Sequence, residues 1–270
     1  MSNQDPAIFH APVTDEVVPL DNAARETIAA LVSRQQNASG VLMKAVNYVG
    51  GHVESGLRAL PQGTSEKVEG VVRFALEKSF NLAGRSRTGR IGRAIGTDRL
   101  HRGLATVSGA VGGVAGIGTA LTELPFAITI IFRAVQAVAE QYGEDPMSPK
   151  TRVECLAVFG KGGPDAKDDG IDTAFISARL SLTGPALKGL ISAISPKFAT
   201  LLSQKIASQS VPVLGAIAGA GTNYAFVDYY VQIAHVHFGL RQLARKHGED
   251  AVTDEFHRVL AETAIPTNQA

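Results

Sequence analysis

A 29-residue apolar stretch with one charged side chain constrains this chain most, because so long a run must lie in a protein interior or in a membrane. Residues 104–132 form this stretch, and its single charge is Glu123. A second such stretch, residues 212–240, carries only Asp228. Both contain glycines four residues apart, a spacing that lets helix backbones approach closely. We therefore expect two glycine-rich apolar helices in tight packing, each with one carboxylate.

Helical spacing of apolar residues dominates the rest of the chain, as in Val68, Val71 and Val72. Turn signals at Asn37–Gly40 and Pro61–Gly63 separate the segments. No credible pair of strands is present, so the sequence predicts an all-α, multi-helix bundle around the two glycine-rich helices. The predicted helices are residues 16–35, 40–60, 65–83, 104–142, 149–159, 171–191, 196–209, 212–246 and 252–263.

Composition narrows the class of protein. The formal net charge is +1, so the chain as a whole is not a polyanion binder. A single cysteine, Cys155, allows no intrachain disulfide and fits a reducing compartment. Residues 1–15 contain two prolines, two acids and no apolar run, which predicts a disordered tail and not a signal peptide. We expect a single helical domain over residues 16–263.

The two glycine-rich stretches can be superposed without gaps at an offset of 105 residues. This alignment pairs Glu123 with Asp228, and YGED at 142–145 with HGED at 247–250. An internal repeat would mean two equivalent helices that cross at their glycines, with the two carboxylates close together. Chance similarity between two apolar helices is the other interpretation, and the sequence leaves both open.

Residues 84–103 interrupt the helical pattern and form a basic connector with six arginines and one acid, Asp98. Basic residues beside an apolar segment attract anionic lipid headgroups by roughly 1 kcal/mol per residue near the surface. A solvated, flexible loop is the alternative. No aromatic residues alternate with the arginines, which disfavours a nucleic-acid site. The arginines are Arg85, Arg87, Arg90, Arg93, Arg99 and Arg102.

Three longer stretches resemble the EcsC family, named for a bacterial protein encoded beside an ABC transporter. They are LTELPFAITIIFRAVQAVAEQYGED at 121–145, TRVECLAVFGKGG at 151–163 and VPVLGAIAGAGTNYAFVDYYVQIAHVHFGLRQLARKHG at 211–248. The resemblance covers residues 40–250. It implies a family of unknown function, with suggested roles in membrane transport or peptide processing, and with ABC transporter components as partners. Glu123, Asn223 and Asp228 fall inside the family's motifs, but no catalytic role comes with them.

The lone carboxylates are the first candidates for chemistry, because a buried carboxylate is unfavourable unless it is paired or protonated. His235 follows Asp228 by seven residues and Tyr224 precedes it by four, so the three share one helix face. His237 lies on nearly the opposite face. The candidate catalytic residues, and the candidate ligands of a divalent metal, are therefore Glu123, Asp228 and His235.

Structural roles compete with each of these assignments. The acids could make ordinary polar contacts, and Glu123 could cap a helix that starts near Pro125. A satisfied structural histidine is the alternative for His235, and Asn223 and Tyr224 are expected to be structural polar residues. Other catalytic classes lack support, since the sequence has no serine-nucleophile motif and no phosphate-binding loop, and Cys155 lies in an apolar helix.

Two functional hypotheses remain. The first is a membrane-associated helper or lipid-binding protein, with anionic lipids as partners of the basic connector. The second is a hydrolase, such as a metal-assisted peptidase, that uses the carboxylate and histidine cluster. We expect a cytoplasmic protein, either soluble or peripheral at the inner membrane, because Glu123 and Pro125 interrupt the longest apolar stretch. An integral membrane protein is the alternative, since residues 104–132 are numerous enough to span a bilayer.

Overall fold

The computed structural model describes residues 17–50, 63–83, 117–160, 184–208 and 215–264. These residues form seven helices and contain no strand, so the predicted all-α fold class is confirmed. The helices are α1 (Asn22–Gly50), α2 (Thr64–Ala83), α3 (Ile117–Gln141), α4 (Pro149–Gly160), α5 (Gly184–Ser208), α6 (Gly215–His247) and α7 (Glu249–Ala264).

Local sequence signals set several helix ends. The Ser148 hydroxyl oxygen accepts a hydrogen bond from the amide of Thr151 at 3.1 Å, and Pro149 is the first residue of α4. Ser148 therefore caps α4, and Pro149 occupies the first helical position, where its missing N–H has no intrahelical partner to lose. Gly248, with φ of +82°, follows the last residue of α6, where a residue with a side chain would be strained.

Two predicted helix boundaries are wrong because packing overrides local propensity. Residues 37–40 do not break α1, which runs unbroken to Gly50 and buries Ala38 in the core. No break separates residues 191 and 196, since α5 continues through Pro196 with Ile194 and Phe198 buried on either side of it. The alternative in which Glu123 caps a helix that starts near Pro125 is wrong, because both residues lie inside α3, as the predicted helix over residues 104–142 implied.

The larger hydrophobic core lies among α2, α3, α4, α5 and α6. Phe159, Phe198 and Tyr230 pack ring against ring at its centre, with centroids 5.1–5.4 Å apart. Its largest buried members are Leu76, Ile128, Phe132, Leu156, Phe159, Ile191, Phe198, Tyr230 and Phe238.

A smaller core lies among α1, α6 and α7. Its buried members are Ile28, Leu31, Val32, Val236, Leu240, Val252 and Phe256. Helix α6 contributes to both cores and contacts α1, α3, α4 and α7, so it is the central helix, and its two sides meet different surroundings. In the part of the chain that the structure describes, no helix has the length and hydrophobicity needed to cross a membrane.

The structure describes only part of the two predicted glycine-rich helices. Helices α3 and α6 contact each other. Residues 104–116, which contain four glycines of the first stretch, are outside the described residues, and only the helical backbone of residues 215–223 is described. Close approach at the glycines and the internal repeat therefore stay predictions. The predicted tail and the basic connector also lie outside them.

Candidate functional site

A pocket of about 380 Å³ lies between α1 and α6 and holds one of the predicted site residues, Asp228. Asp228 is half-buried, and the Gln232 side-chain amide, one turn further along α6, donates a hydrogen bond to its Oδ1 at 3.2 Å. Helix α1 supplies the opposite wall, including the half-buried Arg34. The lining residues are Ala30, Ser33, Arg34, Asn37, Ala38, Asp228 and Gln232.

His235 lies on the same side of α6 and is held by a tyrosine from another element. The hydroxyl of Tyr142, in the turn after α3, lies 3.2 Å from Nδ1 of His235, and the two rings meet edge to face. Burial raises the pKa of Tyr142, and the positive charge of Arg34 acts in the opposite direction. Arg34 therefore lines the pocket and also acts electrostatically on Tyr142, the partner of His235.

The tyrosine predicted to accompany His235 was Tyr224, which is 41% exposed at its own position on α6. Sequence spacing along one helix could find Tyr224 but not Tyr142, because Tyr142 reaches His235 from 93 residues away. The predicted stripe of Asp228 and His235 on one helix side is consistent with the pocket and with the Tyr142 contact.

Other predicted site residues cannot be placed at the level of side chains. Glu123 and Asn223 belong to α3 and α6, but their side chains lie outside what the structure describes. The arginines of the basic connector lie entirely outside it. The predicted closeness of the two lone carboxylates therefore stays a prediction.

The predicted divalent-metal site also stays a prediction. Among the described residues, no three histidine, cysteine, aspartate or glutamate side chains are grouped so as to hold a metal ion. The predicted set includes Glu123, whose side chain is not among those residues.

The opposite side of α6 carries a charged network that sequence analysis did not identify. Nε2 of His237 lies 2.9 Å from Oε2 of Glu154 on α4, and Arg241 donates to Oε1 of the same carboxylate at 2.8 Å. Arg241 also donates to Oε1 of Glu144 at 3.3 Å, and Arg245 donates to that oxygen at 2.6 Å. We call Glu144, Glu154, His237 and Arg241 the buried network.

These four side chains are nearly inaccessible, with His237 1% exposed and the others 11–14%. Charges removed from water require partners, and each one here has at least one. The Thr151 hydroxyl also donates to Oε2 of Glu144 at 3.3 Å. His237, Arg241 and Arg245 recur every four residues on α6, and this spacing was the signal in the sequence that could have identified the network.

Cys155 is fully buried next to the network. Burial raises the pKa of the Cys155 thiol well above its usual value, and the charges of Glu154 and Glu144 act in the same direction. A thiol that stays protonated and inaccessible is a poor nucleophile. This agrees with the expectation that Cys155 is not a reactive residue.

Taken together, the fold and the site define an all-helical protein with a solvent-open polar pocket on one side of its central helix and a closed ionic network on the other. The sequence matches the EcsC protein family over residues 25–243. That match covers most of the 270 residues, so the chain belongs to the EcsC family. Neither the curated proteins nor the solved structures include a match to it.

Proposed function

We propose that this protein is a membrane-associated helper, or lipid-binding protein, of the EcsC family that rests on anionic membranes. The observation that carries the proposal is the combination of the arginine-rich residues 84–103 with exposed aromatic side chains on α2 and α3, the described helices that precede and follow this segment in the chain. Phe74 on α2 and Phe126 on α3 are 53% and 56% exposed. The two helices pack together, with the Ser79 and Thr129 hydroxyls 3.1 Å apart.

Basic and aromatic side chains act together at a membrane surface. Arginine and lysine are attracted to anionic headgroups, while aromatic rings insert at the level of the headgroups. The Lys78 ammonium already lies 5.4 Å from the centre of the Phe74 ring, so charge and apolar surface are adjacent on α2. Phe126 belongs to the apolar helix that follows the arginine-rich segment in the chain.

Sedimentation with liposomes tests this proposal. We expect the protein to sediment with vesicles that contain phosphatidylglycerol, and we expect salt to weaken the binding because screening shortens the range of electrostatic attraction. Replacing the six arginines of residues 84–103 with glutamine should reduce binding at least tenfold, and Phe126→Ser should reduce it further. Arg258→Gln is a control, because Arg258 lies on α7 and is paired with Glu255 and Glu262.

Equal binding to neutral and anionic vesicles, or none to either, would contradict the proposal. If the chain acts as a helper of an ABC transporter, it should also co-purify with transporter subunits from membranes, and this association should depend on the same arginines.

A hydrolase is the second candidate, and the position of Asp228 favours it. Asp228 lines a pocket open to solvent, and His235 follows it on the same side of α6. In this hypothesis Asp228 and His235 act with Glu123 in acid–base chemistry or hold a divalent metal. Elemental analysis of purified protein, together with a peptidase assay of Asp228→Asn and Glu123→Gln, tests it. Absence of bound metal and an unchanged phenotype of the double variant would argue against it.

A further inference from the structure

Helices α3 and α6 run parallel, in a register that two sets of contacts define. At the carboxyl end of α3, Cε1 of Tyr142 lies 3.4 Å from the position that a Cβ would take on Gly239. Earlier in both helices, Phe132 and Tyr230 stack on the same ring, Phe159 of α4, with centroid distances of 6.1 and 5.3 Å. Because every α-helix rises by the same distance per residue, positions about 98 apart in the sequence lie level with each other.

This register brings two exposed aromatic side chains to one end of the bundle. Phe126 precedes Phe132 by about two turns of α3, and Tyr224 precedes Tyr230 by the same interval on α6. Phe126 is 56% exposed and Tyr224 is 41% exposed. The first residues of the two helices are level as well. We call this end, from the first residues of α3 and α6 to Phe126 and Tyr224, the aromatic end.

The sequence around the aromatic end is apolar and, further out, basic. From the two helix starts to Phe126 and Tyr224, the one charged residue is Glu123. Residues 104–116 precede α3 and residues 209–214 precede α6, and neither run contains a charge. The arginine-rich residues 84–103 come immediately before the first run. Arginines attract anionic headgroups, and apolar and aromatic side chains favour the interface between headgroups and acyl chains.

The opposite end of the bundle is rich in charge. Val17 lies there, because its side chain is 3.1 Å from the position of a Cβ on Gly248, directly after α6. Helix α7 begins at this end and carries five acids and one arginine, with four of the acids in its first two turns. At about 1.5 Å per residue, Gly248 lies about 36 Å from Tyr224 along α6. An anionic membrane attracts the arginine-rich segment and repels α7, so the charge pattern favours one orientation.

We propose that the aromatic end is the surface through which this protein enters an anionic bilayer, with Phe126 and Tyr224 at the level of the headgroups. Aromatic rings are favoured there, and tyrosine especially, because its ring is apolar and its hydroxyl is polar. Helix α7 and Val17 face water on the other side of the molecule. The proposal rests on the membrane association proposed above and adds the face of the molecule that makes the contact.

Single tryptophans test the orientation, because the native chain contains none. The variants are Phe126→Trp, Tyr224→Trp and, as the matched control at the opposite end, Val17→Trp. The native side chains at these positions are 41–60% exposed, so each can accept a larger ring. With vesicles of phosphatidylglycerol and brominated phosphatidylcholine, we expect about twofold quenching of the fluorescence at positions 126 and 224 and none at position 17, since only the first two reach the acyl boundary.

An acid placed at the same three positions gives a second measurement. Phe126→Glu and Tyr224→Glu should each weaken sedimentation with phosphatidylglycerol vesicles by about tenfold, because each adds an anion at the headgroups and removes a ring from the interface. Val17→Glu should change it by less than about twofold, because a separation of about 36 Å is several Debye lengths. Thermal unfolding checks every variant, and if those at position 224 fail to fold, the contrast between positions 126 and 17 decides.

The outcomes separate this proposal from the one on which it rests. If the native protein binds the vesicles and Val17→Trp is quenched as strongly as the other two variants, or if none is quenched, the orientation is overturned and membrane association stands. If the native protein does not bind, both proposals fail. If the protein forms a dimer that Phe126→Glu dissociates while vesicle binding is unchanged, the aromatic end binds a second copy of the chain and the proposal is overturned.

Discussion

The two sides of α6 differ in how far their polar side chains are exposed to solvent. On the side that faces α4, the buried network joins Glu154, His237 and Arg241 by contacts of 2.8–2.9 Å in a nearly closed interior. On the side that faces α1, Asp228 and Arg34 line a pocket open to solvent. In the first arrangement the charges are paired with one another inside the fold, whereas in the second the charged side chains lie beside solvent.

The largest expected loss of stability comes from disrupting the buried network. Glu154→Gln removes the carboxylate that both His237 and Arg241 contact and leaves the positive charge of Arg241 less compensated in the interior. We expect the free energy of unfolding to fall by about 3 kcal/mol, as for other broken buried ion pairs. Urea denaturation measures this change.

Glu69→Gln on α2 is the matched control. Glu69 pairs with Arg73 on an exposed helix surface, so its loss should change the free energy of unfolding by at most about 0.5 kcal/mol. Similar losses in the two variants would show that the network is not a special feature of the interior and would remove the contrast between the two sides of α6.

Two tyrosine hydroxyls provide the next test, since they lie on the two sides of α6. Tyr142→Phe removes the hydroxyl that contacts His235, and we expect a loss of about 1 kcal/mol in the free energy of unfolding. The hydroxyl of Tyr230 is buried in the larger core and has no hydrogen-bond partner among the described residues. Tyr230→Phe should therefore leave stability unchanged or raise it by about 1 kcal/mol.

Urea denaturation measures the free energy of unfolding of both variants, and the two values can be compared directly because the same hydroxyl oxygen is removed from each. A loss in Tyr230→Phe as large as that in Tyr142→Phe would mean that the Tyr230 hydroxyl has a partner in solution, such as a buried water molecule.

The smallest expected effect concerns how closely α1 and α6 approach beside the pocket. A Cβ at Gly239 would lie 3.0 Å from both methyl groups of Leu31 on α1, whereas a Cβ at Gly70 on α2 would meet nothing within 4 Å. Gly70→Ala should raise stability by about 1 kcal/mol through helix propensity. In Gly239→Ala the crowding against Leu31 should cancel this gain or reverse it by about 1 kcal/mol. Equal gains in thermal unfolding would show that α1 can move away from α6.

The sequence predicted the local features of the fold well. Helical periodicity identified α2, α4 and α7 with small boundary errors, and Ser148 and Pro149 marked the start of α4. The same periodicity placed His235 and His237 on opposite sides of α6, in agreement with their contacts to Tyr142 and to Glu154. These features depend on residues within a few positions of one another, which is the range over which helix geometry acts.

Boundaries and partners beyond that range were not predictable. Asn37–Gly40 and Pro196 are strong local breakers, yet α1 and α5 continue through them because both helices bury residues there against the rest of the bundle. The partners of His235 and His237 come from 93 and 83 residues away, and no spacing rule connects positions so distant.

By itself, the sequence determined that this chain is helical, that it belongs with the EcsC family by its motifs, and that Asp228 and His235 share one helix face. Only the tertiary structure decided that Asp228 opposes Arg34 across a pocket, that Tyr142 holds His235, and that four charged or titratable side chains close into a buried network. The physical reason is that helix formation is encoded in neighbouring residues, whereas the pairing of charges depends on which helices pack together and at what register.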